Sequence, residues 1–338
     1  MIQFGMYNIL IGFIPIITSF FITYYFTKRW IELAKIFGFM SKDMNKYEKP
    51  LVAEPGGPFV IFGTTIGILT YLFLKSYIIK TETNILEILS ILIVTILAGF
   101  LGLFDDVLGW KKGLKPWQKP LFTLPFALPL MVLKMGETKM TIPFLGTIDF
   151  GILYPLLLVP IGIMGASNAF NMIAGYNGLE ATMGILLFLG IAIKSYLLEK
   201  YYLVIISLII ISSLLAFLYF NKYPAKIFPG NSFTYAIGAL FGSLVIVGNM
   251  EKFGIILFSL YFLELILFLR GLKDGIYKEN FAIPDSQNNL REPYEKIYST
   301  THLAVRVVRK IKGYCKETDV VLFLAILQII ILIIALLV

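Results

Sequence analysis

ILEILSILIVTILAGFLGLF, running from Ile85 to Phe104, is followed at once by Asp105-Asp106-Val-Leu-Gly and then by Lys111, Lys112 and Lys115. An apolar run of about 20 residues is the length that crosses a hydrocarbon core of ~30 Å as a helix. In lipid no water satisfies backbone N–H and C=O groups, so a spanning run has to be helical. Working outward, nine more runs of this kind appear: Met6–Phe26, Gly57–Ser76, Lys119–Leu133, Gly151–Asn171, Leu179–Leu198, Tyr202–Phe220, Ser232–Val247, Phe253–Leu269 and Val320–Val338. The run at Lys119–Leu133 is short and contains Pro125 and Pro129. The whole chain of 338 residues is 58% hydrophobic and only 15% charged, too few charges to cover a soluble domain of this size. The reading is an all-α, ten-helix polytopic membrane protein, one integral domain over residues 1–338 with a long polar loop at 271–317. The first run has no basic region before it and no small-residue cleavage pattern after it, so it reads as a retained helix.

Ten spans put both termini on one side. The loops after the first, third, fifth, seventh and ninth spans then share the other side, and they carry 22 of the 29 Lys and Arg, Lys119 at the edge of its span included. Positive charge accumulates on the cytoplasmic face of membrane proteins, so these loops are expected in the cytoplasm and both termini outside. That basic face suits anionic lipid head groups, an anionic substrate, or both. Nucleic acid is not expected as a partner; the bilayer is, and a second copy of the chain is compatible with the pattern. The lone Cys315 and lone His302 exclude a disulfide framework within the chain and any Cys- or His-rich metal centre. A bound metal would take mostly oxygen ligands, which points to Mg²⁺, with Mn²⁺ as the alternative.

Polar residues at membrane depth are costly and mark function more often than not. Asp105 and Asp106 repel each other unless a cation lies near. An acid pair followed by a basic cluster suits a metal-bound diphosphate, and equally suits a water-facing helix end with a solvated positive loop. The fifth span ends in Ser167-Asn168-Ala-Phe-Asn171-Met-Ile-Ala-Gly175-Tyr-Asn177-Gly178-Leu-Glu180. Asn168 and Asn171 share a helix face. Amides offer oxygen to a metal and N–H to a phosphate or a base, and the glycines permit close approach of a ligand. After the seventh span, Lys226 is within reach of a phosphate, and Gly230-Asn231-Ser232 reads locally as a turn and helix cap. Glu54, in Ala53-Glu54-Pro55-Gly56-Gly57, either lines a site or complements a helix dipole.

Taken in order and on one face, these motifs resemble the polyprenyl-phosphate N-acetylhexosamine-1-phosphate transferases. The likeness is greatest to the eukaryotic and archaeal dolichyl-phosphate GlcNAc-1-phosphotransferases and more distant to the bacterial phospho-MurNAc-pentapeptide translocases. It runs from about Lys42 to Lys226 and into the eighth span. Its most specific string is Asn168-Ala-Phe-Asn171-Met-Ile-Ala-Gly175-Tyr-Asn177-Gly178-Leu-Glu180. The resemblance implies that Asp105 and Asp106 lie near a metal and the acceptor phosphate, and that Lys115 contacts substrate phosphate. It implies Asn171 at a Mg²⁺–diphosphate centre, with Asp106 and Asn231 as fellow ligands, Asn177 at the uracil, and Glu54 lining the same cavity. Two positions depart from the family. Asn231 stands where the relatives have a metal-ligating Asp, one negative charge fewer. The family's Pro-Arg-His-Arg type motif is absent from the 271–317 loop, which offers Arg291, His302 and Arg306 instead.

The reaction implied is attack of a polyprenyl phosphate oxygen on the β-phosphorus of a UDP-sugar with loss of UMP. A transporter with the acid pair as an ion site is the first rival; its polar residues would sit at the bilayer midplane, and here they sit at one face. A lipid-phosphate binder without turnover is the second. The charge bias generates a direct test: a cysteine introduced into the Gly271–Lys316 loop is labelled only from the cytoplasmic side of intact cells. Labelling from outside removes the ten-span topology.

Overall fold

The computed structural model describes residues 2–108, 117–142 and 146–338. It is a helical membrane bundle. Among the described residues, seven helices are long and apolar enough to cross a membrane, and a bent pair makes an eighth. These are α2 (Gly57–Leu74, extended by a π turn to Ile79), α3 (Ile85–Leu108), α6 (Val159–Met172, entered through a π turn from Tyr154), α7 (Leu179–Leu197), α8 (Tyr201–Asn221), α9 (Gly230–Val247) and α13 (Glu317–Leu337). Before them, α1 (Ile2–Phe37) is a single helix of 36 residues, longer than the run Met6–Phe26 that announced it.

Two of the ten expected spans take another form. The run at Lys119–Leu133 is three short pieces: α4 (Gln118–Thr123), a 3-10 turn (Leu124–Ala127) and α5 (Leu128–Val132). Pro120, Pro125 and Pro129 each lack an N–H and crowd the carbonyl one turn back, so no continuous helix forms. The run at Phe253–Leu269 is split into α10 (Glu251–Leu257) and α11 (Ser259–Lys273), bent by 57°. The break frees backbone carbonyls in an apolar setting. The buried amide of Gln328, on α13, donates to the Leu257 carbonyl at 2.9 Å. The 271–317 loop is itself ordered: it contains a two-residue hairpin (β5 Ile283–Pro284, β6 Leu290–Arg291) and α12 (Thr300–Lys312).

The centre of the bundle is α9, 89% buried, where the other spans range from 28% to 61%. Without a hydrophobic drive between helices in lipid, close backbone packing holds them. Gly102 of α3 lies directly against the backbone of Asn231 and Ser232, Gly57 of α2 against the backbone of Phe233, and Gly238 of α9 against that of Ala166 and Ser167 on α6. Buried hydroxyls add ties between α1 and α8: Thr23 meets Ser213 at 2.7 Å and Ser19 donates to the Ile209 carbonyl at 3.1 Å.

The segments at one end of the bundle are laced to each other. The hairpin β1 (Met40–Lys42) and β2 (Leu51–Ala53) precedes α2. Ala53 bridges to Ile227, and Gly56 and Gly57 donate to the carbonyls of Phe228 and Pro229, each at 2.8 Å. The loop entering α2 therefore runs beside the loop entering α9. A second hairpin, β3 (Lys139–Ile142) with β4 (Gly146–Asp149), joins α5 to α6.

Because a β-carbon at Gly102 would meet backbone rather than a movable side chain, Gly102→Ala forces α3 and α9 apart. The expected cost is about 1–3 kcal/mol, the range for overpacking. It should appear as a lowered melting temperature of the detergent-solubilised protein, with Gly12→Ala, which meets nothing nearby, as the control.

Candidate active site

Four chain segments converge where α3 ends and α9 begins. Asp106, in the last turn of α3, reaches across to the first turn of α9. It accepts from the backbone N–H of Asn231 at 2.6 Å, the N–H of Ser232 at 3.0 Å and the Ser232 hydroxyl at 2.8 Å. The first N–H groups of a helix have no partner within it, and a carboxylate there also meets the positive end of the helix dipole. Gly230, with φ +75° and Pro55 and Asp106 both close, gives the chain the room to deliver those N–H groups. Capping of α9 is therefore done by Asp106, 125 residues away in sequence. This corrects the local reading of Gly230-Asn231-Ser232 as a self-contained cap.

The Asn231 side chain is directed elsewhere. Its Oδ1 accepts from Asn171 Nδ2 at 2.7 Å, and the same Nδ2 donates to Thr234 Oγ1 at 2.7 Å. Asn171 on α6 and Asn231 on α9 thus face each other beside Asp106. Asp105 is 4% exposed, which corrects the picture of a water-facing acid pair, and it pairs with Lys119 of α4 at 3.0 Å. Asn168, one turn before Asn171, ties α6 to α4 by donating to Thr123 Oγ1 at 2.8 Å, and also donates to the Met164 carbonyl. Lys115 lies outside the described residues.

Glu54 sits between β2 and α2, within electrostatic reach of Asp106 and Glu180. Burial raises its carboxyl above the usual range, opposed by a hydrogen bond from Ser41. Lys226 is exposed on the α8–α9 loop.

Asn177 occupies a neighbouring buried cluster. Its Nδ2 donates to Asp43 at 3.2 Å, while its Oδ1 accepts from Lys46 at 3.4 Å and from the Ala225 N–H at 2.9 Å. Its own N–H donates to Glu317, which also pairs with Lys46. Through its side chain and its N–H together, Asn177 joins the residue 43–46 turn and the start of α13 to the α6–α7 connection. Gly175 and Gly178 likewise admit the chain's own atoms, Gly175 lying against Phe281 and Asn280, and Gly178 against Lys222.

Two of the three residues drawn from the 271–317 loop are bonded within it. His302 is 1% exposed and bonded through Nε2 to the Glu279 carbonyl. Burial, with the Lys278 charge beside it, pushes the imidazole down to about 4, so it is neutral at physiological pH. Arg306 pairs with Glu292 at 3.5 Å and donates to the Glu295 carbonyl. Arg291 is exposed on β6. The loop is held by a group that sequence reasoning passed over: Glu264, fully buried in α11. It pairs with Lys278 and accepts from the Thr300 N–H and hydroxyl, each at 2.7 Å, and from the Ser299 hydroxyl. Asn280, next to Lys278, donates to the Met172 and Ala174 carbonyls at 2.7 and 2.6 Å, so the loop is fastened to the turn that follows Asn171. A carboxylate in the apolar run Leu-Glu264-Leu-Ile-Leu was a visible signal. Lys119 was hidden by its place at the start of a proline-broken run.

An acid pair, a lysine and two facing amides thus meet at one end of a membrane bundle. A family model described as glycosyl transferase family 4 matches residues 88–249, which contain every element of that centre. A protein of Saccharolobus solfataricus with the provisional name UDP-N-acetylglucosamine–dolichyl-phosphate N-acetylglucosaminephosphotransferase is 38% identical over 319 residues, 94% of this chain and 93% of its own. Its counterpart of the same provisional name in Sulfolobus acidocaldarius is 35% identical over 314 residues, covering 92% of this chain and 91% of its own. The phospho-N-acetylmuramoyl-pentapeptide-transferase of Halalkalibacterium halodurans is 33% identical over 207 residues, 58% of this chain and 63% of its own. The chain belongs to glycosyl transferase family 4.

The two acids separate by experiment. Asp105→Asn and Asp106→Asn each lower turnover at least ~100-fold, the usual cost of removing one electrostatic stabiliser. Asp106→Ala in addition destabilises the fold by about 1–2 kcal/mol through the lost helix cap, read as a drop in melting temperature that Asp106→Asn, with one acceptor oxygen left, shares only in part. Near-normal turnover in both Asn variants at saturating substrate removes the pair from the active site.

Proposed function

We propose that this protein transfers GlcNAc-1-phosphate from UDP-GlcNAc to a polyprenyl phosphate of the dolichyl type, releasing UMP and starting a lipid-linked glycan. The observation that carries the reading is the convergence of Asp105, Asp106, Asn171 and Asn231, together with the relatives' names over more than nine-tenths of the chain. An oxygen of the lipid phosphate bonds to the β-phosphorus of the UDP-sugar. The bond from that phosphorus to the bridging oxygen breaks, and its electron pair leaves with UMP. The nucleophile is already an anion and needs no strong base. The work is to bring two anions together and neutralise their charge.

The side chains suit that work. Lys119 beside Asp105 is a cation at the centre, Lys226 adds positive charge on the α8–α9 loop, and Lys115 is a further cation in the sequence. The donor set is all oxygen: the amide oxygens of Asn171 and Asn231 with Asp106 adjacent. His302 and Cys315 are buried elsewhere. Such a set fits a hard cation that takes its remaining ligands from substrate phosphates, as Mg²⁺ does. When bound there, Mg²⁺ would supply charge neutralisation on the diphosphate. Asp106 shares its two oxygens among three donors from α9, so its first task in this reading is to fix Asn231 and Ser232. Asp105, buried and paired with Lys119, holds that ammonium at the centre. The site opens to the cytoplasm in this reading, with both termini outside and the prenyl chain in the bilayer.

The test is release of UMP from a panel of UDP-sugars by purified protein with prenyl phosphate, with and without Mg²⁺. UDP-GlcNAc should be preferred and turnover should vanish with chelator. Asn231→Asp should tighten apparent Mg²⁺ affinity, because Mg²⁺ favours a carboxylate over a neutral amide. An unchanged Mg²⁺ titration in that variant removes Asn231 from the metal site.

A further inference from the structure

Tyr235 lies one helical turn after Asn231 on α9, on the same face. It is fully buried, and among the described residues its hydroxyl has no hydrogen-bond partner. Its backbone is fixed: the Ser167 hydroxyl of α6 donates to the Tyr235 carbonyl at 3.1 Å. Its surroundings are the reacting centre. The Lys119 ammonium lies 5.7 Å from the ring centroid while pairing with Asp105 at 3.0 Å. Asp105 and Asp106 are both within electrostatic reach of the phenol. A buried tyrosine hydroxyl almost always finds a partner, because leaving one without costs free energy. Phenylalanine would fill the same space at no such cost, and α9 uses it at Phe233 and Phe241. An unsatisfied donor kept beside two carboxylates and a lysine is explained by a partner that comes and goes.

We propose that the Tyr235 hydroxyl donates a hydrogen bond to an anionic phosphoryl oxygen of bound substrate, completing with Lys119 a donor pair for that oxygen. This rests on the phosphosugar transfer assigned above. As that oxygen enters, the Lys119 ammonium is shared between it and Asp105, and the phenol supplies the neutral donor on the other side. It brings no charge that would hold the product. The shared chemistry is a phosphate oxygen; the lipid phosphate and the UDP-sugar diphosphate are its two sources, and kinetics separate them.

The experiment uses full-length Tyr235→Phe in detergent, with UDP-GlcNAc and a short-chain polyprenyl phosphate each varied in turn. The expected result is a loss of kcat/KM of about 10- to 100-fold, the scale of one hydrogen bond to a charged group, with a melting temperature unchanged or raised. A rise in KM confined to prenyl phosphate assigns the bond to the lipid phosphate, and one confined to UDP-GlcNAc assigns it to the diphosphate. Unchanged kinetics overturn the proposal, as does a lowered melting temperature with a matching loss of activity, which marks a hydroxyl satisfied by buried water. A second readout does not need turnover: prenyl phosphate or UDP-GlcNAc should raise the melting temperature of the unmodified protein more than that of Tyr235→Phe. If the unmodified protein releases no UMP but this difference persists, the transfer reading fails and the Tyr235 assignment stands.

Discussion

The carboxylate of Asp106 joins the end of one membrane helix to the beginning of another. The backbone polar groups at that junction need partners, because the first N–H groups of α9 have none within the helix. Asp106 supplies three acceptor contacts at once. It can do so only because Gly102 lets α3 touch the backbone of residues 231 and 232. Asn231 is then delivered to Asn171, and Tyr235 follows one turn later. The geometry of the centre is a consequence of how one helix is capped.

A second constraint acts from below the loop. Glu264 collects an ammonium, two hydroxyls and a backbone N–H, and so pins the 271–317 segment to α11. Removing one member of such a buried set leaves charge without a counterpart, which costs several kcal/mol. Asn280 carries that order to the turn after Asn171. The segment is a folded part of this end of the bundle, and His302 and Arg306 are bonded within it.

The sequence disclosed a polytopic helical protein because apolar runs report directly on lipid. It disclosed the meeting of Asp106, Asn171 and Asn231 through family resemblance and through polar residues too costly to be idle. Two of the runs misled, because hydropathy counts apolar residues and is blind to what Pro120, Pro125 and Pro129 do to backbone hydrogen bonds, or to a break at Phe258 that Gln328 satisfies from another helix. The task of Asp106 was hidden for a different reason. Caps are sought within a few residues of a helix start, and this one comes from 125 residues away. Tyr235 could not be singled out at all, since a lone aromatic in an apolar helix has no signature until its hydroxyl is seen without a partner.

The partners of Glu264 also have an order in time. Lys278 follows it by 14 residues, Ser299 by 35 and Thr300 by 36. When Glu264 first leaves the ribosome, none of them has emerged, and an isolated carboxylate enters hydrocarbon only at a cost. The helix therefore waits near the interface and takes its final depth after α12 has been synthesised. Assembly of this end of the bundle is thus a late event of translation: a chain halted before Thr300 emerges lacks α13 too, and its α11 is still unseated.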